Sequence, residues 1–255
     1  MDVYNIFFSP TGGTFKVADT LAKALSEGAC HQIDLTVWHD EMPRCDFRPQ
    51  DAVAVIAMPS YAGRVPGVAA ERLSRINGAG MKAVIVCVYG NRAYEDTLVE
   101  LHDIAEKAGF AVIAAVAAIA EHSIARKYAT GRPDEADRLV LTKYGDAIKR
   151  KLLSGDFSCP SIPGNRPYKD GMKAGPVPQP SDACTGCGTC AGQCPVAAID
   201  TNDAAIVNKD ACISCMRCVS VCPVSARHIP LAALQMLEQH LEPLCSARKE
   251  CELFV

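Results

Sequence analysis

Two stretches near the C-terminus, DACTGCGTCAGQCPV (182–196) and DACISCMRCVSVCPV (210–224), align without a gap at a period of 28 residues. Every cysteine coincides, as do the leading Asp-Ala and the trailing Pro-Val. The spacing is C-x2-C-x2-C-x3-C-P, twice. Three thiolates spaced by two residues wrap a loop around a compact inorganic cluster, and the fourth, ahead of a proline, points away to a second one. The pattern predicts one [4Fe-4S] cluster on Cys184, Cys187, Cys190 and Cys222, and another on Cys212, Cys215, Cys218 and Cys194. Structural zinc is the alternative. Zinc ribbons use C-x2-C pairs across a longer gap, four ligands in all, which eight cysteines in threes plus one do not match. Gly186 and Gly188 are expected to let backbone approach the first cluster, and Ile199, Ile206 and Ile213 to exclude water.

The chain holds 14 cysteines, and the six outside the repeat (Cys30, Cys45, Cys87, Cys159, Cys245, Cys251) are scattered. MDVYNIFF has an acid at position 2 and no basic head, so it does not read as a signal peptide. The longest apolar run, Phe110 to Ala120, has 11 residues, against roughly 20 needed to span a bilayer. The expectation is a cytoplasmic protein with no membrane span, where dense cysteine means metal rather than disulfides. A net charge of −3, evenly spread, gives no argument for nucleic acid or a membrane surface.

Upstream, Val3–Phe8, Ala52–Met58, Lys82–Val88 and Phe110–Ile119 are short continuous apolar runs, with His31–Val37 as a weaker fifth. Runs of this kind suit parallel strands buried on both faces. Between them, Ala18, Leu21, Ala22 and Leu25, then Tyr94, Leu98, Leu101 and Ala105, recur at helical spacing. Leu141, Tyr144, Ile148 and Leu152 mark another helix, opened by Pro133-Asp134-Glu135. Alternating strand and helix predicts a doubly wound, parallel, five-stranded α/β sheet over 1–154. Residues 155–180 carry six prolines and four glycines in 26. They read as a linker lying on the first domain, because Phe157, Ile162 and Tyr168 are costly to leave wet. The cysteine module spans 181–230. From 231 to 255, Leu231, Leu234, Leu237, Leu241 and Leu244 predict a C-terminal helix with one apolar stripe, then a tail.

The loop after the first run is FSPTGGT. Gly12 and Gly13 permit backbone N–H groups to turn inward at a helix N-terminus, and Ser9, Thr11 and Thr14 offer hydroxyls, which suits an anion. There is neither Gly-Lys-Ser/Thr nor G-x-G-x-x-G, so a monophosphate without magnesium fits better than a nucleoside triphosphate or dinucleotide. An N-cap turn with no ligand is the bland reading. Ligands of open α/β sheets bind at the carboxyl ends of strands. Two further strand ends carry Pro59-Ser60-Tyr61-Ala62-Gly63-Arg64 and Tyr89-Gly90-Asn91-Arg92 followed by Tyr94, suited to stacking on and polar recognition of a flat ring. Tyr61 is otherwise a packed core tyrosine, and Arg64 and Arg92 otherwise solvated charges.

Together these loops resemble the flavodoxin family, whose first loop reads T-G-x-T, matched by Thr11-Gly12-Gly13-Thr14. The resemblance implies FMN, with its phosphate on the first loop and its isoalloxazine flanked by the other two. The third loop departs from the family: Gly90-Asn91-Arg92 replaces an acidic Gly-Asp turn, and the strong negative charge is missing. Residues 181–230 resemble the small α+β bacterial two-cluster ferredoxins. The whole layout, with EHSIAR at Glu121–Arg126, is similar to flavodoxin-like/ferredoxin fusion proteins of anaerobic microbes. That resemblance implies electron transfer between two [4Fe-4S] clusters and FMN, as a carrier to or from a redox protein partner. The competing expectation is a flavin-dependent reductase of a small-molecule acceptor, with His122, Ser123, Arg126 and Tyr128 near the acceptor. The oligomeric state, homodimer included, is left open by the residues.

Overall fold

The structure is a computed structural model that describes residues 1–37, 52–171 and 175–255; Cys45 lies outside the described residues. The chain forms β1 (Asp2–Phe7), α1 (Gly13–Leu25), β2 (Cys30–Asp34), β3 (Ala52–Pro59), α2 (Gly67–Ser74), β4 (Lys82–Tyr89), α3 (Thr97–Lys107), β5 (Ala111–Ile119) and α4 (Glu135–Leu153). The cysteine module and tail add β6 (Gln179–Pro180), α5 (Thr189–Gly192), α6 (Arg217–Ser220), β7 (Arg227–His228), α7 (Leu231–Cys245) and β8 (Glu252–Phe254).

The main sheet runs β2-β1-β3-β4-β5-β8. Its first five strands are parallel. Every residue of β3 is buried, and only Lys82 of β4 is not, which is why these strands read as unbroken apolar runs. Alternation then sorts the faces. Val53, Val55 and Ala57 pack under α1 and α4, and Ala54, Ile56 and Met58 under α2 and α3. Ala18, Leu21, Ala22 and Leu25 are all buried on α1, as their spacing predicts. Gly145 lets α4 close on α1: a Cβ there would lie 2.5 Å from Ala24 Cβ. Asp134 caps α4 through a reciprocal pair with Asp137. Among the described residues no helix is long and apolar enough to cross a membrane.

The expected C-terminal helix is present as α7, and the tail after it forms a strand. Strand β8 returns to pair antiparallel with β5, Val116 opposite Leu253, and covers what would be an open sheet edge. Helix α7 buries only Leu241 and Cys245, while Leu231 stays 68 % exposed, so the leucine stripe is only partly used. Its inner face packs on Ala125 and Tyr128.

The linker lies on the α3 side of the sheet. Ile162 packs into that core, and Gly164 approaches so closely that a Cβ would fall 2.3 Å from Val99 Cγ1. Tyr168 donates to Asp103, and the Arg64 guanidinium stands 4.9 Å from its ring centre. Phe157 remains half exposed under the Lys82 ammonium.

In the cysteine module the 28-residue period is visible in the backbone. Gly186, Gly188 and Ala197 take positive φ, and so do their counterparts Ser214, Met216 and Ser225. The Ala198 amide donates to Cys194 Sγ, as the Ala226 amide does to Cys222 Sγ. The glycines therefore answer a left-handed backbone rather than crowding, since a Cβ on Gly186 or Gly188 would meet nothing within 4 Å. Strands β6 and β7 close the module by pairing its two ends.

Candidate functional site

The eight repeat cysteines surround two separate cavities. One is walled by Cys184, Cys187, Cys190 and Cys222, the other by Cys194, Cys212, Cys215 and Cys218. Each set takes three cysteines from one copy of the repeat and the fourth from the other copy. Among the described residues no group of three or more His, Cys, Asp or Glu side chains is placed to hold a single metal ion; the cysteines instead ring wider, apolar spaces. Ser214, on the wall of the second cavity, is buried and its Oγ has no partner. A buried hydroxyl without an acceptor is costly, and cluster sulfur in that cavity would supply one. Burial pushes the Cys215 thiol up to about 12 and the Cys218 thiol up to about 11. Thiolates there need a cation for company. The donor set, the cavity walls and the orphaned hydroxyl all fit a cluster.

The two cavities face different surroundings. Cys184 and Cys187 are exposed, whereas Cys215 and Cys218 are buried. The buried set lies against the first domain. Arg217 and Ser220 of α6 each donate to Pro10 O at 3.2 Å. The Arg72 guanidinium donates to Leu35 O, Thr36 O and Pro195 O, tying the loop after β2 to the module. Ile213 packs into the α2–α3 core. Tyr61 is near enough to Cys215 that a thiolate there adds to the rise that burial imposes on the tyrosine pKa.

Pro10 and Tyr61 belong to the first and second sequence-predicted loops. In the first, Gly12 takes φ +87 and caps α1 with no side-chain bond. Ser9 Oγ accepts from the Phe15 amide, and the Ser9 amide donates to Thr36 Oγ1. The Thr11, Gly13 and Thr14 amides donate to no acceptor among the described residues. The first turn of α1 has no acidic residue. Three free amides at the positive end of a 13-residue helix make an anion cradle. Gly13 is also held tight, a Cβ there standing 3.0 Å from Ala120 Cβ at the end of β5. This cradle fits a phosphate.

The second loop is a two-residue turn, Tyr61 N and O bonding Arg64 O and N, with Ala62 and Gly63 both at positive φ. Gly63 carries a second constraint: a Cβ would collide with the Glu95 side chain. Its carbonyl accepts from the Asp96 amide, which joins the second loop to the third. The Ser60 and Thr97 hydroxyls bond at 2.7 Å, and Pro59 ends β3.

The third loop is gathered to the others, but its polar groups are committed elsewhere. Asn91 is buried, donates to Cys245 O and Ala247 O, and accepts from the Lys249 amide. Lys249 Nζ donates to Arg92 O. Arg92 pairs with Glu95, and Arg64 makes a two-pronged bond to Glu100. Tyr89 packs in the core on Tyr94, whose hydroxyl donates to Glu252. The Asn91 side chain is thus a clasp for the C-terminal tail, and what this loop offers a ligand is backbone and ring edge.

His122 sits against Gly90, where a Cβ would be 2.7 Å from the ring. Its Nδ1 accepts from the Ile124 and Ala125 amides. Burial, with help from the Arg92 charge, lowers its pKa to about 4, so the ring is neutral. Arg126 pairs with Glu121, and the Tyr128 hydroxyl donates to Glu238 O and Glu242 on α7. From pH about 6.5, the ordinary histidine value, down to about 4, the unfolded chain binds a proton that the folded chain refuses. Stability should therefore fall with pH across that window and level off below it. His122→Asn, which keeps an acceptor, is expected to lose less stability than wild type between pH 7 and pH 5 when urea midpoints are compared.

Sequence reading missed Thr36, Arg72, Ser214, Arg217 and Arg227. Thr36 and Arg72 act through loops whose partners are distant in sequence. Arg227 had a signal: it stands where the other copy of the repeat has Ile199.

Residues 173–227 match the family model of the 4Fe-4S dicluster domain. No curated protein matches the chain. Among solved structures, a flavodoxin from the domain Archaea is similar at 14 % identity and a TM-score of 0.43, covering 60 % of this chain and 99 % of its own. Flavodoxin 1 from Bacillus cereus gives 17 % and 0.41, covering 59 % and 98 %. Rubredoxin oxygen:oxidoreductase from Desulfovibrio gigas gives 16 % and 0.43, covering 60 % of this chain and 36 % of its own. The fold of the N-terminal unit is given by its own parallel strands, whose order 2-1-3-4-5 is that of flavodoxin-like sheets. By fold, the chain joins a unit of flavodoxin-like topology to a 4Fe-4S dicluster domain.

Proposed function

We propose that this protein carries electrons between two [4Fe-4S] clusters and FMN within one chain, exchanging them with a redox protein partner in anaerobic, cytoplasmic metabolism. The carrying observation is that the buried cysteine set docks on the phosphate-loop side of the sheet, with α6 bonded to Pro10 and Cys215 within electrostatic reach of Tyr61. Bound there, clusters pass single electrons and a flavin holds one or two. The chain's residues do the rest. Cys212, Cys215, Cys218 and Cys194 would hold the cluster next to the flavin site, and Cys184, Cys187, Cys190 and Cys222 the cluster that faces a partner. The Thr11, Gly13 and Thr14 amides would bind the FMN phosphate, and Tyr61 would flank the ring on the module side. In this reading the flavin unit is 1–154 completed by the tail strand β8, with 155–180 as its linker and 181–230 as the cluster unit. Fixing both centres in one chain replaces a collision by an intramolecular step.

The reductase reading draws on one observation, a cavity of about 440 Å³ beside the third loop, lined in part by Asn91, Tyr128, Arg132 and Arg248. Saturable turnover of a small acceptor, slowed by Tyr128→Phe on the cavity wall, would favour it; transfer to acceptors without saturation favours the carrier. Anaerobic reconstitution tests the common ground. Two four-iron clusters and one flavin require about eight iron, about eight sulfide and about one FMN per chain. Iron without flavin would reduce FSPTGGT to a capped turn, and zinc without sulfide would overturn the redox reading.

A further inference from the structure

Arg227 stands between the two cysteine cavities and lines both. It is 3 % exposed. Its guanidinium donates to Ala204 O at 2.7 Å, to Pro178 O at 3.3 Å and to Cys190 Sγ at 3.7 Å. Nε is buried with no partner. On the other side Arg227 shares the wall of the second cavity with Cys218. Cys190 and Cys218 are the same position of the repeat, 28 residues apart. One side chain therefore lines the cavities that hold symmetry-equivalent cysteines of both copies, and the equivalent of Arg227 in the first copy is Ile199.

Buried charges are paired or they are not tolerated. Among the described residues no carboxylate lies within ion-pair distance of Arg227; its partners are carbonyls and cysteine sulfur. With clusters bound, the anions it would face are the two thiolate sets. We infer that Arg227 is a positioning residue whose fixed charge serves both clusters at once, favouring the reduced form of each and so raising both potentials. The inference rests on the two-cluster reading above. Cluster potentials respond to net charge, to hydrogen bonds on sulfur and to solvent exposure, and this side chain acts through the first two from a dry position where charge counts most.

The test is an anaerobic redox titration of the loaded protein, each cluster followed by EPR, for wild type, Arg227→Gln and Arg227→Lys. Arg227→Gln is expected to lower both midpoints, cutting the reduced-to-oxidised ratio of each cluster at least tenfold at a fixed potential, which is 59 mV for one electron. Arg227→Lys keeps the charge and should stay within about threefold of wild type. A loaded Arg227→Gln protein with either midpoint unmoved would overturn the inference. Should Arg227→Gln take up no iron, Arg227→Lys decides. Near-wild-type midpoints support the role of charge, and a tenfold loss overturns it. Failure of both variants to load would assign Arg227 to folding alone and overturn it too. A wild type that holds no pair of clusters would instead sink the functional reading, so the two failures are told apart.

Discussion

Cys215→Ala is expected to leave a protein with about four iron per chain instead of about eight and a flavin that no longer receives electrons through the module. Cys215 is 8 % exposed and lines only the buried cavity, and it is the cysteine whose charge reaches Tyr61. In the proposed reading, removing it takes one of four thiolates from the set next to the flavin site. The exposed set of Cys184, Cys187, Cys190 and Cys222 keeps all its ligands. The matching Cys184→Ala variant should also lose about half its iron, but a reductant small enough to reach the buried cluster should still reduce its flavin. Iron analysis and flavin bleaching, measured together on both variants, separate a chain of two clusters in series from two independent centres.

Arg132→Met should cost about 3 kcal/mol of stability, read from urea unfolding. Arg132 and Asp137 form a two-pronged pair with side chains 4 % and 1 % exposed. Truncating the cation leaves a buried carboxylate, relieved only in part by Arg248 at 3.2 Å. Removing both partners with Arg132→Met/Asp137→Leu should recover part of the loss, because the uncompensated charge is gone. Recovery will be incomplete, since Asp137 also completes the cap of α4, worth about 1 kcal/mol. The same variant should loosen FMN. Arg132 donates to Lys249 O, and the Lys249 amide bonds Asn91 in the third loop, so the pair supports the clasp that shapes that loop.

The parts of this molecule that could be read in the sequence are those governed by local pattern. Strands β3 and β4 are buried on both faces and leave unbroken apolar runs; α1 shows its core face at helical spacing. The cysteine repeat is legible for the same reason, since ligand spacing is a local constraint. What could not be read depends on distant pairing. Strand β8 has three residues with no pattern of their own, and exists because β5 offers an edge. Asn91 and Arg92 end a strand and so read as candidate ligand contacts, but the pattern gave no sign that the Asn91 side chain bonds Cys245 and Ala247 in the tail or that Arg92 pairs with Glu95. The leucine spacing of α7 described a helix correctly, though Leu241 is the one leucine of that stripe that is buried. The docking of the module on the first domain rests on Arg72, Arg217 and Ser220, none of which is a ligand position of the repeat.

The central claim is that flavin and clusters share electrons inside a single chain, through the docked face of α6. Rapid anaerobic mixing of the loaded protein with a limiting electron donor, following flavin absorbance over a range of protein concentrations, tests it most directly. The phase in which electrons pass from clusters to flavin should have a rate independent of protein concentration, and should vanish in Cys215→Ala. A rate rising in proportion to concentration, or an unchanged phase in Cys215→Ala, would contradict the claim.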